Sequence, residues 1–260
     1  MYTQLFSTIT PLSSYWLGLL AADGNMRKNR YGFSLGLQKS DEYLLEELCE
    51  DIGLNNKIYS KHNFSSVEFY NKAIYKELLI LGLKPQKAKD LNEKIIHTEY
   101  FNHFIRGLFD GDGTLGLYKK GNRKALTPKI AIYGYYPFLE KAQKYIPIKS
   151  LLYISNRGLG SISIHKKNDI IDFINWIYDN KNRFMKRKYD KAQELINYII
   201  NFKSQSTKKY NFYKNNRPYI KTICDNCDME YLRRSDHIKL KHKFCSRECY
   251  FKWRKNNANS

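Results

Sequence analysis

Two stretches of the chain are apolar on every side and then end in the same way. Leu17 to Met26 (LGLLAADGNM) and Ile105 to Leu115 (IRGLFDGDGTL) both pass from apolar residues into a small residue, an Asp and a Gly. Apolar residues on every side are typical of a buried helix. An Asp at a helix C-terminus has the wrong charge for the helix dipole, so Asp23 and Asp112 require another explanation. Two such acids at the ends of two packed helices predict a site for divalent metal ions.

The two stretches resemble the paired LAGLIDADG motifs of homing endonucleases. The residues that match the first glycine, the final acid and the closing glycine of the motif are Gly18, Asp23 and Gly24 in the first copy and Gly107, Asp112 and Gly113 in the second. The resemblance implies that the two motif helices pack together and that the final acids bind the metals that cleave both DNA strands. An earlier acid of the motif is kept as Asp110 but is Ala21 in the first copy, where we expect a change in polarity without loss of activity.

Strand-like and helix-like patterns follow the first motif. The alternation of apolar residues from Tyr31 to Leu37 predicts a half-buried strand, and apolar residues at helical spacing from about Asp41 to Ile52 predict a helix. Two short strands and a further helix are expected at Lys57 to His62, Phe64 to Asn71 and Ala73 to Gly82.

The second half of the chain repeats this order of elements. Strands are expected at Leu115 to Lys119, Lys129 to Tyr133, Leu151 to Ser155 and Ser161 to His165, and helices at Phe138 to Ile146, Asn168 to Tyr178 and Lys186 to Asn201. The sequence therefore predicts an αββαββα unit that occurs twice in tandem. The fold class is α+β, and the resemblance implies antiparallel, saddle-shaped sheets.

Four segments are expected along the chain. Residues 1–100 form the first repeat, 101–201 the second repeat, 202–221 a basic linker and 222–260 a small zinc-binding module that binds DNA. The linker is rich in Lys, Asn and Tyr and has no helical or strand period. Two interpretations remain open for it, a flexible connection or an extended arm whose lysines contact DNA phosphates.

The charge of the chain indicates its partner. A formal net charge of +20 and a pI near 9.6 favour a polyanion. An anionic membrane is the rival partner, but the sequence has no amphipathic lysine-rich helix and no apolar run long enough to span a bilayer. The N-terminal MYTQLFSTIT lacks the pattern of a signal peptide. We therefore expect double-stranded DNA as the partner and an intracellular, reducing compartment rather than secretion.

Each repeat is expected to cover one face of its sheet with helices and to leave the other face bare. Side chains on the bare face can contact base edges and phosphates in the major groove. The alternation assigns to that face Arg30, Ser34, Gln38, Tyr59, Lys61, Ser66 and Glu68 in the first repeat and Lys129, Tyr133, Tyr153 and Ser163 in the second. A merely solvated sheet face is the alternative interpretation.

Phosphodiester hydrolysis also needs an activated water and a positive group near the phosphate. Gln38 lies in a segment that resembles the family segment near the active site, and Tyr133 is its expected counterpart in the second repeat. Lys72 and Lys166 lie where the last strand of each repeat meets a helix, where the family often has a basic residue, although solvated lysines would look the same. Met185 to Leu195 (MKRKYDKAQEL) resembles a basic family stretch that is expected to contact phosphates.

The cysteines give a second signal. Cys224 and Cys227 form a C-x2-C pair, Cys245 and Cys249 form a C-x3-C pair, and 17 residues separate the two pairs. Four thiolates at these spacings suit a structural zinc ion, whereas disulfides are the alternative. The segment around the second pair resembles treble-clef-like zinc fingers. Cys49 belongs to the apolar stripe of its helix, and His237 and His242 are possible replacement ligands.

These patterns together predict a monomeric homing endonuclease with two repeats and a C-terminal zinc module. It is expected to hydrolyse both strands of a long asymmetric DNA site with Mg²⁺ or another divalent cation. Two alternatives use the same scaffold, an intron-splicing RNA maturase and a DNA-binding regulator that no longer cleaves.

Overall fold

The computed structural model describes residues 4–28, 30–85, 91, 93–119, 126–155, 158–216, 219–234 and 242–257. It divides the chain into two compact units, residues 1–199 and 200–260. Within the described residues no helix is long and apolar enough to cross a membrane.

The first repeat contains three helices and a four-stranded antiparallel sheet. Its elements are α1 (Pro11–Ala22), β1 (Gly24–Met26), β2 (Gly32–Gln38), α2 (Tyr43–Ile52), β3 (Ile58–Lys61), β4 (Phe64–Tyr70) and α3 (Lys72–Ile80). The strands pair in the order β1-β2-β4-β3. The register aligns Gly24 with Leu35, Leu35 with Val67, and Val67 with Ile58 across the sheet.

The second repeat has the same order of elements and the same sheet topology. Its elements are α4 (Phe101–Asp112), β5 (Gly113–Lys119), β6 (Leu126–Tyr135), α5 (Tyr136–Gln143), β7 (Leu151–Ile154), β8 (Leu159–Ile164), α6 (Lys167–Tyr178) and α7 (Lys186–Asn216). The strands pair in the order β5-β6-β8-β7. This repetition confirms the tandem αββαββα prediction and the α+β class.

Glycines allow α1 and α4 to approach each other at backbone distance. A Cβ atom on Gly18 would lie 2.0 Å from the Phe104 carbonyl oxygen, and one on Gly107 would lie 2.0 Å from the Tyr15 carbonyl oxygen. Real side chains cannot occupy such positions, so both glycines are required for this contact. Helix α1 is buried from Ser13 to Ala21, as the apolar pattern predicted. The predicted central helix pair is therefore present.

A continuous core joins the two repeats, and a few buried polar groups fix their arrangement. The Arg106 guanidinium is fully buried and donates to the carbonyls of Ile177 and Arg183 and to Asn182 Oδ1. Asp51 of the first repeat accepts two hydrogen bonds at 2.9 Å from the guanidinium of Arg183 in the second. Buried polar groups are stable only when they are hydrogen-bonded in this way.

Two expectations for local structure are wrong. Tyr31 was assigned to the buried face of a strand, but it lies in the turn before β2 with φ 45° and its side chain is exposed. The segment after Asn201 was expected to lack helical structure, but α7 continues to Asn216. Residues 186–216 contain neither Pro nor Gly, the two residues that are least favourable inside a helix, and the next Pro in the sequence is Pro218. The sequence therefore allows the helix to continue past Asn201.

The second compact unit contains the C-terminal part of α7, a two-stranded antiparallel hairpin and a helix. The hairpin consists of β9 (Tyr219–Ile223) and β10 (Glu230–Arg234), and α8 spans Arg247–Asn256. Ser246 caps α8, since its hydroxyl accepts a hydrogen bond from the Cys249 N–H.

Candidate active site

The two acids lie at the adjacent ends of the packed helices. Asp23 caps the C-terminus of α1, and Asp112 is the last residue of α4. Both side chains are exposed to solvent. A Cβ atom on Gly111 would lie 3.0 Å from Asp23 Oδ2, so the carboxylate of Asp23 is beside the residue that precedes Asp112. Two solvent-facing carboxylates at the adjacent ends of two packed helices are suitable ligands for hard divalent cations.

Lys188 supplies a buried positive charge next to this pair. Its side chain is 7% exposed, and Nζ donates to the carbonyls of Phe109 and Gly113 at 2.7 Å and of Gly111 at 3.2 Å. These carbonyls belong to the last turn of α4 and the residue after it, so the lysine compensates the negative end of the helix dipole. Burial lowers the pKa of Lys188 to about 8, although the charges of Asp110, Asp23 and Asp112 act in the opposite direction.

Sequence reasoning missed this role of Lys188. The residue lies in the basic stretch that was expected to contact phosphates from the surface. The missed signal is its helical spacing with four apolar residues, all of them buried: Met185 just before α7, and Ala192, Leu195 and Ile199 within it. A lysine on such a stripe faces inward and must find acceptors there.

The earlier acid of the second motif is a structural residue. Asp110 is fully buried, and its Oδ2 accepts hydrogen bonds from the Tyr15 hydroxyl at 3.0 Å and from the Met185 N–H at 2.8 Å. It thereby ties α4 to α1 and to the start of α7. Burial raises the pKa of Asp110 to about 6, although these hydrogen bonds and Lys188 act against that rise. The corresponding Ala21 is buried without a polar group, as the departure from the motif implied.

Gln38 lies at the end of β2, two residues past the position level with Asp23. Tyr133, its expected counterpart, does not occupy the equivalent position in the second sheet. Gly24 and Gly113, which follow the two acids, pair with Leu35 and Ile132, and counting three residues along each strand equates Gln38 with Tyr135. Tyr133 instead equates with Gly36. Tyr133 still lies next to the acids, since it lines a cavity of about 410 Å³ together with Asp112.

Lys72 and Lys166 are far from the acids. Strand β4 runs in the same direction as β1, and Lys72 lies beyond its outer end, six residues past the position level with Asp23. Lys166 lies five residues past the equivalent position in the second sheet. At about 3.3 Å per residue these separations are roughly 16 to 20 Å along the strands. The structure therefore does not bring these lysines to the acids, and the lysine that lies beside the acids is the buried Lys188.

The outer faces of the two sheets carry most of the residues expected there. Ser34, Gln38, Ser66 and Glu68 alternate with buried residues on β2 and β4, and Tyr59 and Lys61 lie on the edge strand β3. In the second sheet Lys129, Tyr133 and Tyr153 occupy the same face. Two assignments need correction, because Arg30 lies in the turn before β2 and Ser163, although on this face, is fully buried.

Four cysteines form a second candidate site in the C-terminal unit. The ligand atoms of Cys224, Cys227, Cys245 and Cys249 all lie within 4.8 Å of one another, and three of the Sγ–Sγ distances are 3.5, 3.6 and 3.7 Å. Disulfides require about 2.05 Å, whereas four sulfurs around a tetrahedral zinc ion are about 3.8 Å apart. The cluster therefore fits a zinc ion and excludes disulfides in this arrangement.

Among the described residues, the other candidate ligands do not join this cluster. Cys49 is buried in α2, as predicted. His242 forms an ion pair with Asp225 at 3.3 Å, and its ring packs against Trp253 with centroids 4.3 Å apart. His237 lies outside the described residues. Burial would raise the pKa of Cys224, but N–H groups including that of Cys245 lower it to about 6, which favours the thiolate that a metal requires.

Solved structures resemble this chain over most of its length. The LAGLIDADG homing endonuclease I-GzeII in complex with its DNA target matches with a TM-score of 0.59 and 14% identity, over 80% of this chain and 96% of that one. The LAGLIDADG meganuclease I-AabMI bound to uncleaved DNA matches with a TM-score of 0.56 and 14% identity, over 76% and 92%. I-SmaMI bound to cleaved DNA matches with a TM-score of 0.55 and 15% identity, over 76% and 91%.

These matches define the class of the protein by its fold. The chain has the LAGLIDADG homing-endonuclease fold, with a four-cysteine cluster near its C-terminus. No family model matches the sequence. A DNA polymerase of Thermococcus hydrothermalis is 31% identical over 40% of this chain, but the match spans only 7% of the length of that protein.

Proposed function

We propose that the protein is a site-specific DNA endonuclease that hydrolyses both strands of a long duplex target. The observation that carries the proposal is the position of Asp23 and Asp112 at the adjacent ends of two glycine-packed helices. The same scaffold in the solved relatives is bound to DNA targets. Because one chain supplies both acids, a monomer suffices for the reaction.

In the proposed reaction, four residues of the site have different roles in hydrolysis. Asp23 and Asp112 would hold divalent cations such as Mg²⁺, which supply Lewis-acid activation of water and stabilise the leaving oxygen. Lys188 keeps the end of α4 in place and adds positive charge beside the acids. Gln38 is exposed at the end of β2, three residues past the partner of Gly24, and would orient a water molecule near Asp23.

The sheet faces and the net charge support binding of duplex DNA. Each repeat offers one exposed face of a four-stranded sheet, and β-strands can lie in a major groove. The net charge of +20 attracts the phosphates and makes binding dependent on salt.

The proposal is tested with a library of duplexes that carry a random central segment. We expect the protein to cleave a defined subset in Mg²⁺, leaving breaks in both strands, and to cleave none in EDTA. Bound duplexes recovered without cleavage would favour the regulator, and capture of structured RNA alone would favour the maturase. Either result would contradict the proposed endonuclease.

The four cysteines are proposed to bind zinc and to fold the C-terminal unit for DNA contact. Helix α8 carries the basic residues Arg247, Lys252, Arg254 and Lys255. We expect Cys224→Ser to release one zinc ion per chain, measured by a chromogenic chelator, and to reduce the salt dependence of DNA binding. Cys49→Ala is the matched control, and it should keep the zinc. An unchanged salt slope after zinc loss would show that the unit does not contact DNA.

Lys188 gives a separate prediction for stability. Lys188→Met keeps the length of the side chain but leaves three carbonyl groups at the end of α4 without their donor. We expect the free energy of unfolding to fall by about 1–3 kcal/mol. The exposed Lys191, one turn away on α7, provides the control Lys191→Met. Equal urea denaturation midpoints for the two variants would contradict the role given to Lys188.

A further inference from the structure

The two repeats are related by an approximate two-fold axis between α1 and α4. A Cβ atom on Gly18 would meet the carbonyl oxygen of Phe104, which lies three residues before Gly107. A Cβ atom on Gly107 would meet the carbonyl oxygen of Tyr15, which lies three residues before Gly18. Reciprocal contacts of this kind define a two-fold interface. Equivalent positions of the two sheets therefore lie at equal distances from the axis, on opposite sides of it.

The strand pairing identifies these equivalent positions. Gly24 and Gly113, which follow the two acids, pair with Leu35 and Ile132. Three residues further out, the equivalent residues are Arg27 and Gly116 on the first strand of each sheet, and Gly32 and Lys129 on the second. Each row therefore contains one basic residue and one glycine, and the two have exchanged strands.

The Arg27 side chain crosses the second strand of its sheet, over the position that Lys129 occupies in the other sheet. Gly32 faces the outer surface but is buried. A Cβ atom there would lie 3.5 Å from Arg27 Cδ and 2.9 Å from the Tyr70 ring, so these two side chains cover it. The guanidinium forms an ion pair with Glu68 and lies 5.9 Å from the centroid of the Tyr70 ring. Both sheets thus present a cation near their two central strands, in equivalent rows.

The ion pair with Glu68 orients Arg27 without occupying all of its donors. Nη2 of Arg27 donates to Glu68 Oε1, and Glu68 Oε2 accepts a hydrogen bond from the Tyr70 hydroxyl at 2.8 Å. A guanidinium has five N–H groups, so one acceptor leaves others for a ligand. The Arg27 side chain is also 40% exposed. An arginine that is held in this way loses less freedom when it binds.

Lys129 borders an open cavity on the outer face of the second sheet. The cavity has a volume of about 480 Å³, and its lining includes Lys119, Tyr153 and His165. The basic groups of this lining attract electronegative atoms of a ligand. Both cations are therefore accessible from the faces that are proposed to bind DNA.

The chemistry of the major groove indicates what the two cations contact. Guanine presents two acceptors there, N7 and O6, and a contact from Arg or Lys to these atoms is the commonest specific one. We propose that Arg27 and Lys129 each read one guanine, at the same distance from the centre of the target in its two halves. Because the repeats are related by a two-fold axis, the two guanines lie on opposite strands. This inference rests on the proposed DNA-binding function of the sheet faces.

Duplexes selected from the random library test this pair of guanines. We expect one guanine in each half, at equal distances from the centre of cleavage and on opposite strands. Replacing either G·C pair by A·T should reduce affinity about fivefold or more, the range expected for loss of one such contact. 7-Deazaguanine keeps the base pairing but lacks the N7 acceptor, and it should weaken binding at the same two positions.

Variants assign each guanine to its residue. Arg27→Ala should remove the 7-deazaguanine effect in one half, and Lys129→Ala should remove it in the other half. Lys119→Ala is the matched control, because Lys119 is an exposed lysine of the same cavity, and it should preserve both effects. Glu68→Gln should weaken the effect only at the guanine assigned to Arg27, since the ion pair orients that side chain.

The outcomes separate this inference from the proposed function. Cleaved duplexes that lack the pair of guanines, or that tolerate 7-deazaguanine at both positions, would overturn the inference and leave the endonuclease intact. Effects of 7-deazaguanine that persist in both halves with Arg27→Ala and with Lys129→Ala would also overturn it. Failure to select any duplex would overturn both the inference and the proposed function.

Discussion

Asp23→Asn and Asp112→Asn are each expected to abolish cleavage while leaving DNA affinity almost unchanged. The amide keeps the size of the side chain but loses the charge that holds a divalent cation, and metal catalysis contributes several kcal/mol to stabilising the transition state. We therefore expect the single-turnover rate in Mg²⁺ to fall by about three orders of magnitude or more. The proposed contacts with the phosphates and base edges lie elsewhere, on the sheet faces, so gel-shift affinity should remain within a few fold.

Asp190→Asn is the matched control for these variants. Asp190 is exposed on α7 and undergoes the same change of charge. It should leave both cleavage and binding as they are in the wild type. Normal cleavage by either of the two active-site variants would remove that acid from the mechanism.

Gly18→Ala and Gly107→Ala are expected to destabilise the protein more than a single methyl group normally does. The added Cβ would lie 2.0 Å from a backbone oxygen of the facing helix, so the two helices must move apart. Overpacking of a dense core costs about 1–3 kcal/mol and occasionally more, and these contacts involve backbone that cannot rotate away. The same displacement would separate Asp23 from Asp112, so cleavage should fall with stability.

Gly134→Ala is the control for the glycine variants. A Cβ atom there would lie 3.5 Å from Leu139, an ordinary van der Waals contact. Calorimetry should show a loss for the two helix variants and almost none for this one. Equal melting temperatures for all three proteins would mean that α1 and α4 do not pack through their glycines.

The sequence predicted the duplicated architecture because its strongest signals are local. The burial of α1 follows from apolar residues on every side of the helix. The two copies of the motif have the same Gly, Asp and Gly positions, so the central helix pair could be predicted without coordinates. The four-cysteine cluster could be predicted for the same reason, because only two or three residues separate the cysteines of each pair. The structure confirms both features in their predicted positions.

The features that sequence reasoning missed depend on pairing between distant segments. Gly24 and Gly113 are 89 residues apart, whereas their partners Leu35 and Ile132 are 97 residues apart, so one constant offset cannot align the two repeats. The offset of the motifs would equate Gln38 with Thr127, whereas the strand register equates it with Tyr135. The acceptors of Lys188 lie more than 70 residues away in sequence, and only the fold shows that this lysine faces them.

Binding of Mn²⁺ to the complex of zinc-loaded protein with its selected duplex is the most direct test of the central claim. Electron paramagnetic resonance would follow the free ion during a titration of the wild type and of the Asp23→Asn, Asp112→Asn double variant. We expect the wild-type complex to bind Mn²⁺ tightly and the double variant to lose that binding while it retains the DNA. Equal tight binding of Mn²⁺ by both complexes would show that Asp23 and Asp112 are not the metal ligands.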